Sequence, residues 1–190
     1  IDEITNNWMP RAIAVSDLNL NTAKLRIGQL EHAYTFDEAR MRSQEEDIIN
    51  LIDEINNNID TYEKLKRESE EQGLYSKLEG DHYNRFLNNW ELYQDLSFTI
   101  FALSRQNEKQ EAVELLNSKA KETASIGGSA LNSLVTLSKR NSLNAANRAS
   151  TTFYEMRNFT IAVLLGTIFL SIVIATALVR RITDPIAQLE

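Results

Sequence analysis

The feature that most constrains this chain is an uncharged run close to its C-terminal end. Phe159 to Val179 contains 21 residues and no charged side chain. A helix of that length spans roughly 30 Å, which matches the hydrocarbon core of a bilayer. A buried core helix is the alternative, but core helices of small domains rarely run so far without a polar face. We therefore predict a transmembrane helix over residues 159–179.

The charges on either side of this run orient it in the membrane. Arg180 and Arg181 follow the run directly, whereas residues 1–158 carry the whole net charge of −7. The positive-inside rule places Arg180 in the cytoplasm and residues 1–158 outside. An outer domain needs a signal peptide or an earlier span, and Ile1 begins neither. We expect a fragment, with a first span before Ile1 and further sequence after Glu190.

The composition favours helices and excludes several classes of site. The 190 residues include only six Gly and two Pro, and long stretches consist of good helix formers. The absence of Cys excludes disulfides and thiolate metal sites. An acidic outer domain without a basic stripe argues against nucleic acid as a partner.

Residues 2–36 are predicted to form the first helix, which is apolar on two sides. One side is a heptad stripe, and the other is a second apolar row. The stripe contains Ile13, Leu20, Ile27 and Tyr34, interleaved with Met9, Ala23 and Leu30, and the second row contains Ile4, Trp8, Val15, Leu18 and Leu25. One row is enough to face the chain's own bundle. The other indicates either a homodimer through this helix or a core that touches two neighbours within one monomer.

Three further helical segments follow. The second, residues 43–71, opens on a capping box of Ser43 and Glu46 and is followed by Gly73 as a helix stop. The third, residues 76–105, carries an aromatic row, and the fourth starts near Lys109 and runs into the apolar run, with Gly127 and Gly128 as the expected kink or break. The row consists of Tyr83, Phe86, Trp90 and Tyr93, continued by Ser97 and Ile100. Short polar links join the segments, which predicts an all-α, antiparallel up-down-up-down four-helix bundle that continues into the transmembrane helix.

The sequence contains no pattern typical of a catalytic or metal centre. His32 and His82 stand alone in sequence, and neither a zinc motif, a calcium loop, a nucleophile elbow nor a phosphate-binding glycine loop is present. Each histidine is interpreted as a surface or helix-packing residue. We therefore expect no enzyme activity, no cofactor and no metal in these residues.

Candidate ligand-binding residues are polar or aromatic groups that interrupt the apolar rows near the middle of the bundle. A cation beside aromatic rings suits the carboxylate of an organic acid. The candidates are Thr22, Lys24 and Arg26 on the first helix, Tyr83, Trp90 and Tyr93 on the third, and Thr136 and Lys139 on the fourth. The alternative for each of them is a core-filling or solvated side chain.

The final residues carry a family resemblance. "RRITDPIAQLE", with Ile182, Pro185, Ile186 and Leu189, resembles the opening of a HAMP signalling module. The preceding domain resembles the four-helix-bundle sensor of bacterial methyl-accepting chemotaxis receptors, carried by "NNWMPR", "LRIGQLEH", "WELY" and "LVTLSKRN". The resemblance divides the chain into a periplasmic ligand-sensing domain, residues 1–158, a span, residues 159–179, and the start of HAMP, residues 180–190.

The resemblance also implies a role and a set of partners. It implies a receptor in the bacterial inner membrane that binds a small organic acid or an amino acid, or a periplasmic binding protein, and that controls a downstream histidine kinase. Arg180 and Arg181 would anchor the inner end of the span, and Pro185 would redirect the helix there. A sensor histidine kinase with the same layout and a membrane anchor without a ligand remain the alternatives.

Overall fold

The computed structural model describes the backbone of residues 4–186 and the side chains of residues 6–179. Within those residues the chain is helical and contains no strand, which confirms the all-α prediction. A π-helical turn, Ile4–Trp8, precedes five α-helices: α1 (Met9–Tyr34), α2 (Glu38–Glu71), α3 (Lys77–Arg105), α4 (Lys109–Asn117) and α5 (Lys119–Ile186). The chain forms two compact units, residues 1–144 and residues 145–190. The first contains the bundle, and the second contains the rest of α5.

Side-chain contacts between the helices give the direction of each one. At the start of α1, Asn7 donates to Ser69 at the end of α2 over 2.9 Å, and Arg11 donates to Glu79 at the start of α3 over 3.2 Å. At the end of α1, His32 lies 2.9 Å from Glu45 near the start of α2. Helices α1 and α2, which are consecutive in the chain, are therefore antiparallel, whereas α1 and α3 run in the same direction. The fourth position of the predicted bundle is shared by α4 and the first part of α5.

The heptad stripe of α1 does not face the bundle. Ile13, Leu20, Ile27 and Tyr34 are all more than half exposed. The second apolar row forms the core instead, and Val15, Leu18 and Leu25 are fully buried. The bundle therefore uses the less regular of the two apolar sides of α1 and leaves the regular one uncovered.

The buried face of α1 also contains polar side chains. Arg11, Asn21, Gln29 and His32 are buried there, and each has a hydrogen-bond partner on α2 or α3. A polar side chain that is paired can lie in a core at modest cost. These four residues interrupt the apolar pattern of the core face, so the apolar pattern alone does not identify it as the side that faces the bundle.

Two helix starts differ from the prediction. Helix α1 begins at Met9 after the π-helical turn, with Pro10 in its first turn, where a missing N–H has no intrahelical partner to lose. Helix α2 begins at Glu38 rather than Ser43, because the Asp37 side chain accepts a 2.7 Å hydrogen bond from the Arg40 backbone N–H. The predicted capping box at Ser43 is therefore wrong, and Ser43 lies on the exposed face of the second turn.

Helix α3 confirms the prediction for the third segment. Ser76 caps it by accepting a hydrogen bond from the Glu79 backbone N–H, and it ends at Arg105. The predicted row of Tyr83, Phe86, Trp90, Tyr93, Ser97 and Ile100 is buried throughout. In the link between α2 and α3, Gly73 adopts a left-handed conformation with φ of 68°. The Leu74 N–H there bonds to the Ser69 carbonyl over 2.8 Å, which closes α2 with a Schellman motif.

The fourth segment is broken at a different residue from the one expected. The break lies at Ser118, between α4 and α5, and Gly127 and Gly128 lie inside α5 without interrupting it. Gly127 packs closely against α3. A Cβ atom at this position would lie 3.6 Å from Asn89 Cβ and 3.8 Å from Phe86 Cδ2. These are ordinary van der Waals distances, so a Cβ atom would fit here and the glycine is not required by the packing.

Candidate functional site

A cavity of about 290 Å³ lies between α1, α3 and α5 in the bundle. Four predicted ligand residues line it, namely Thr22, Arg26, Trp90 and Tyr93. The break at Ser118 starts α5 beside this cavity, so that Lys121, Ala124 and the Gly127–Gly128 pair complete its wall. The sequence predicted the contributions of α1 and α3. The α5 residues of the cavity were not predicted, because no residue around Ser118 indicates a helix break.

The wall that α3 provides is a ladder of aromatic rings. Phe86 and Trp90 are stacked with ring centroids 6.5 Å apart, and Trp90 and Tyr93 are stacked at 6.4 Å. All three side chains are at least 95% buried. Burial of this extent fixes the rings in place, so the wall is rigid and largely made of carbon.

The polar atoms of these rings are engaged outside the cavity. Trp90 Nε1 donates to Asn56 Oδ1 on α2 over 3.1 Å, and the Tyr93 hydroxyl donates to Gln29 Oε1 over 2.5 Å. Gln29 in turn donates to Ser97 Oγ over 2.5 Å. Because both ring donors already have partners, the rings offer a ligand apolar surface rather than hydrogen bonds.

Arg26 brings a positive charge to the cavity. Its Nη1 atom is buried and has no hydrogen-bond partner. Burial raises the pKa of Tyr93 to about 12, and the positive charge of Arg26 opposes part of that rise. Arg26 as a whole is partly exposed and lines the cavity, so an anion there would meet the guanidinium through its more exposed part.

The other four predicted residues lie elsewhere. Lys24 and Lys139 are exposed and do not line the cavity. Tyr83 is fully buried in the core against Tyr62, with ring centroids 4.5 Å apart. Thr136 lies in a separate polar groove between α3 and α5, beside His82.

A buried ion pair lies at the end of the bundle where α1 begins. Arg11 is fully buried and lies 3.1 Å from Glu79, which is 1% exposed and also accepts a hydrogen bond from Tyr62 over 3.0 Å. The guanidinium also lies over the Trp8 ring, 4.4 Å from its centroid. Burial raises the pKa of Glu79, and the Arg11 cation and the Tyr62 hydroxyl oppose the rise. Both charged side chains are almost fully buried, so neither is exposed to a ligand in solution.

A second buried charge cluster lies at the opposite end, around His32. The His32 ring is fully buried, packs edge-on against Phe101 at 5.1 Å and meets Glu45 through Nε2. Arg105 holds the Glu45 carboxylate from the other side through two hydrogen bonds. His32 is thus a helix-packing residue, one of the two roles expected for it.

This cluster predicts a loss of stability in mild acid. Burial lowers the pKa of His32, although the Glu45 carboxylate opposes that effect. Below a pH of about 6.5 the unfolded chain takes up a proton at this residue that the folded chain resists, so the free energy of unfolding falls. Thermal unfolding from about pH 7.5 to about pH 5.5 should therefore show a smaller drop in Tm for His32→Gln than for the unaltered chain. His82→Gln is the matched control and should keep the original pH dependence, and equal slopes in all three proteins would contradict the assignment.

Within the side chains described, residues 6–179, no group of three His, Asp or Glu residues could hold a metal ion. The predicted signal-coupling residues Arg180, Arg181 and Pro185 fall outside the described side chains. The backbone is helical through Pro185 as far as Ile186. The helical stretch that ends at Val179 contains an apolar window long enough to cross a membrane, and none of that window is buried.

Comparison with known proteins gives two matches. A family model described as a four helix bundle sensory module for signal transduction matches residues 1–153. The chain is also 22% identical over 189 residues to a protein of Bacillus subtilis (strain 168) named "Putative sensory transducer protein YvaQ". That alignment covers 100% of this chain and 32% of the relative, so the chain spans about a third of the relative's length.

Proposed function

Because the chain belongs to the family of four-helix-bundle sensory modules for signal transduction, we propose that it is the sensory and membrane-coupling part of a methyl-accepting chemotaxis receptor. The relative described as a sensory transducer favours this role over that of a sensor histidine kinase. Residues 1–158 form the sensor outside the bacterial inner membrane, residues 159–179 cross it, and residues 180–190 begin the HAMP module.

The observation that carries the proposal is the continuity of α5. One helix, Lys119–Ile186, contains the α5 residues that line the cavity and also the uncharged run. A small organic acid or amino acid in the cavity contacts this helix directly. If the ligand binds one position of α5 more tightly than another, it shifts the equilibrium between the two by that difference in affinity. Arg180, Arg181 and Pro185 pass the shift to HAMP and to the downstream histidine kinase.

The test of direct sensing is a ligand screen on the whole 190-residue chain in lipid nanodiscs. Thermal unfolding is followed by circular dichroism in the presence of amino acids, aliphatic di- and tricarboxylates and aromatic acids. A ligand of the folded state raises the Tm in a saturable way, by an amount set by its concentration relative to its Kd. A panel without any such shift on a demonstrably helical chain rules out direct sensing of these ligands and leaves sensing through a periplasmic binding protein.

The uncovered stripe of α1 supports a homodimer. Met9, Ile13, Leu20, Ile27 and Tyr34 are each 52–62% exposed and recur at heptad spacing along one side. A contiguous exposed apolar surface of this kind is typical of an interface. A second copy of α1 offers the same stripe, and a two-fold axis brings the two together.

A charge in the middle of the stripe tests the dimer. We expect the double variant Leu20→Arg/Ile27→Arg to sediment as a monomer while the unaltered chain sediments as a dimer, because two buried guanidinium groups per subunit would lack partners. Ile49→Arg is the matched control, since Ile49 on α2 is 52% exposed but lies outside the stripe. A dimer that survives the double change would place the interface elsewhere.

A further inference from the structure

The charges around the cavity between α1, α3 and α5 are all of one sign. Its lining includes two cations, Arg26 and Lys121, and no Asp or Glu. This is notable in a chain whose net charge is −7. An ammonium group in the cavity would meet two positive charges and no carboxylate to pair with it. The lining therefore favours an anion and disfavours an amino acid, whose ammonium group would be left without a partner.

Most other polar groups of the lining use their donors within their own helix. Thr22 donates to the Leu18 carbonyl over 2.8 Å, Thr123 to the Lys119 carbonyl over 2.9 Å, and Asn89 to the Arg85 carbonyl over 2.7 Å. Arg26 Nη1, in contrast, is buried without an acceptor. A carboxylate in the cavity can make a charge-assisted hydrogen bond to the more exposed part of the Arg26 guanidinium.

The rest of the ligand must match three stacked rings. Phe86, Trp90 and Tyr93 border the cavity only by small ring edges, since each is at least 95% buried, and those edges are carbon because the ring donors of Trp90 and Tyr93 are bonded to Asn56 and Gln29. A flat ring in offset or edge-on contact gains more from such a wall than an aliphatic chain does. The cavity, at about 290 Å³, has about twice the roughly 150 Å³ that accommodates benzene. There is therefore room for one ring, its carboxylate and small substituents.

We propose that this cavity binds a small aromatic carboxylate without an ammonium group, with the carboxylate on Arg26 and the ring against the Phe86–Trp90–Tyr93 wall. The inference rests on the proposed direct sensing and narrows its ligand class. Lys121, at the exposed edge of the cavity, attracts the anion toward the entrance.

The test is calorimetric titration of the whole chain in nanodiscs with four probes of similar size or charge. Benzoate should bind saturably with one site per chain. Benzamide lacks the charge, phenylalanine adds an ammonium group, and succinate lacks the ring, and each should bind at least about tenfold more weakly. Arg26→Gln should weaken benzoate binding by about 10- to 100-fold, as expected for the loss of a charged hydrogen bond.

Two further variants separate a site effect from a general one. Lys24→Gln removes a positive charge two residues away on the same helix, from a side chain that is exposed and does not line the cavity, and should change the affinity by less than about twofold. Ala124→Leu narrows the cavity from α5 and should weaken benzoate binding without lowering the Tm. Retained helicity and Tm show that each variant is folded.

The outcomes distinguish this inference from the function on which it rests. Phenylalanine or succinate binding as tightly as benzoate would overturn the aromatic-carboxylate class, and so would benzoate binding that ignores both Arg26→Gln and Ala124→Leu. A chain that fails to bind benzoate also overturns it. Direct sensing survives all three results if another compound in the ligand screen gives a saturable rise in Tm, and falls only if none does.

Discussion

Replacing Arg11 with methionine lowers the free energy of unfolding by about 3–5 kcal/mol. The change leaves Glu79, which is 1% exposed, without its cationic partner in the interior of the bundle. Tyr62 still donates to Glu79, but a single neutral hydrogen bond does not replace an opposite charge. Urea unfolding of the whole chain in nanodiscs, followed by circular dichroism, measures the loss.

Two controls show whether burial is the cause. Arg42→Met removes the exposed pair of Arg42 with Glu38, whose side chains are 71% and 81% exposed, and should cost only ~0–1 kcal/mol. Arg11→Met/Glu79→Gln removes both buried charges and should recover a large part of the loss, because no unpaired charge remains. If Arg11→Met costs no more than Arg42→Met, the pair at Arg11 and Glu79 is not buried as described.

Leu18→Ala should lower the free energy of unfolding by about 2–5 kcal/mol. Leu18 is fully buried on the side of α1 that faces α2 and α3, and truncation leaves a cavity in a packed core. Leu92→Ala, on the exposed face of α3 where the leucine is 57% exposed, should cost less than about 1 kcal/mol. Unfolding in urea compares the two, and equal losses would mean that α1 is rotated relative to the structure described here.

Which side of α1 faces the bundle could not be predicted from the sequence. Hydrophobic periodicity finds the helix but does not tell which of two apolar sides faces its own bundle. Gln29 and His32 lie in the core because Tyr93, Ser97 and Glu45 supply their partners, and those partners come from distant parts of the chain. By contrast, α3 was predicted well, because its aromatic row is a local signal.

The residues of the candidate site were also predicted only in part. Thr22, Arg26, Trp90 and Tyr93 were predicted from polar or aromatic residues that interrupt or line an apolar row, and the cavity brings them together. Tyr83 belongs to the same row as Trp90 but faces Tyr62 in the core. Lys121 was not predicted because its position depends on the helix break at Ser118. The Ser118 backbone has φ of −105° and ψ of −101°, and no neighbouring glycine or proline indicates a break there.

Buried polar contacts are distributed unevenly among the helices. Arg11 with Glu79, Gln29 with Ser97 and His32 with Glu45 tie α1 to α2 and α3 through directional bonds that hold only in one register. Between α1 and α5, Asn19 Nδ2 donates a solvent-exposed hydrogen bond to Asn132 Oδ1 over 3.0 Å. Helix α5 also contributes apolar residues such as Leu131 and Leu134 to the core. Buried directional bonds therefore fix the register of α1 against α2 and α3, whereas the hydrogen bond described between α1 and α5 is exposed to solvent.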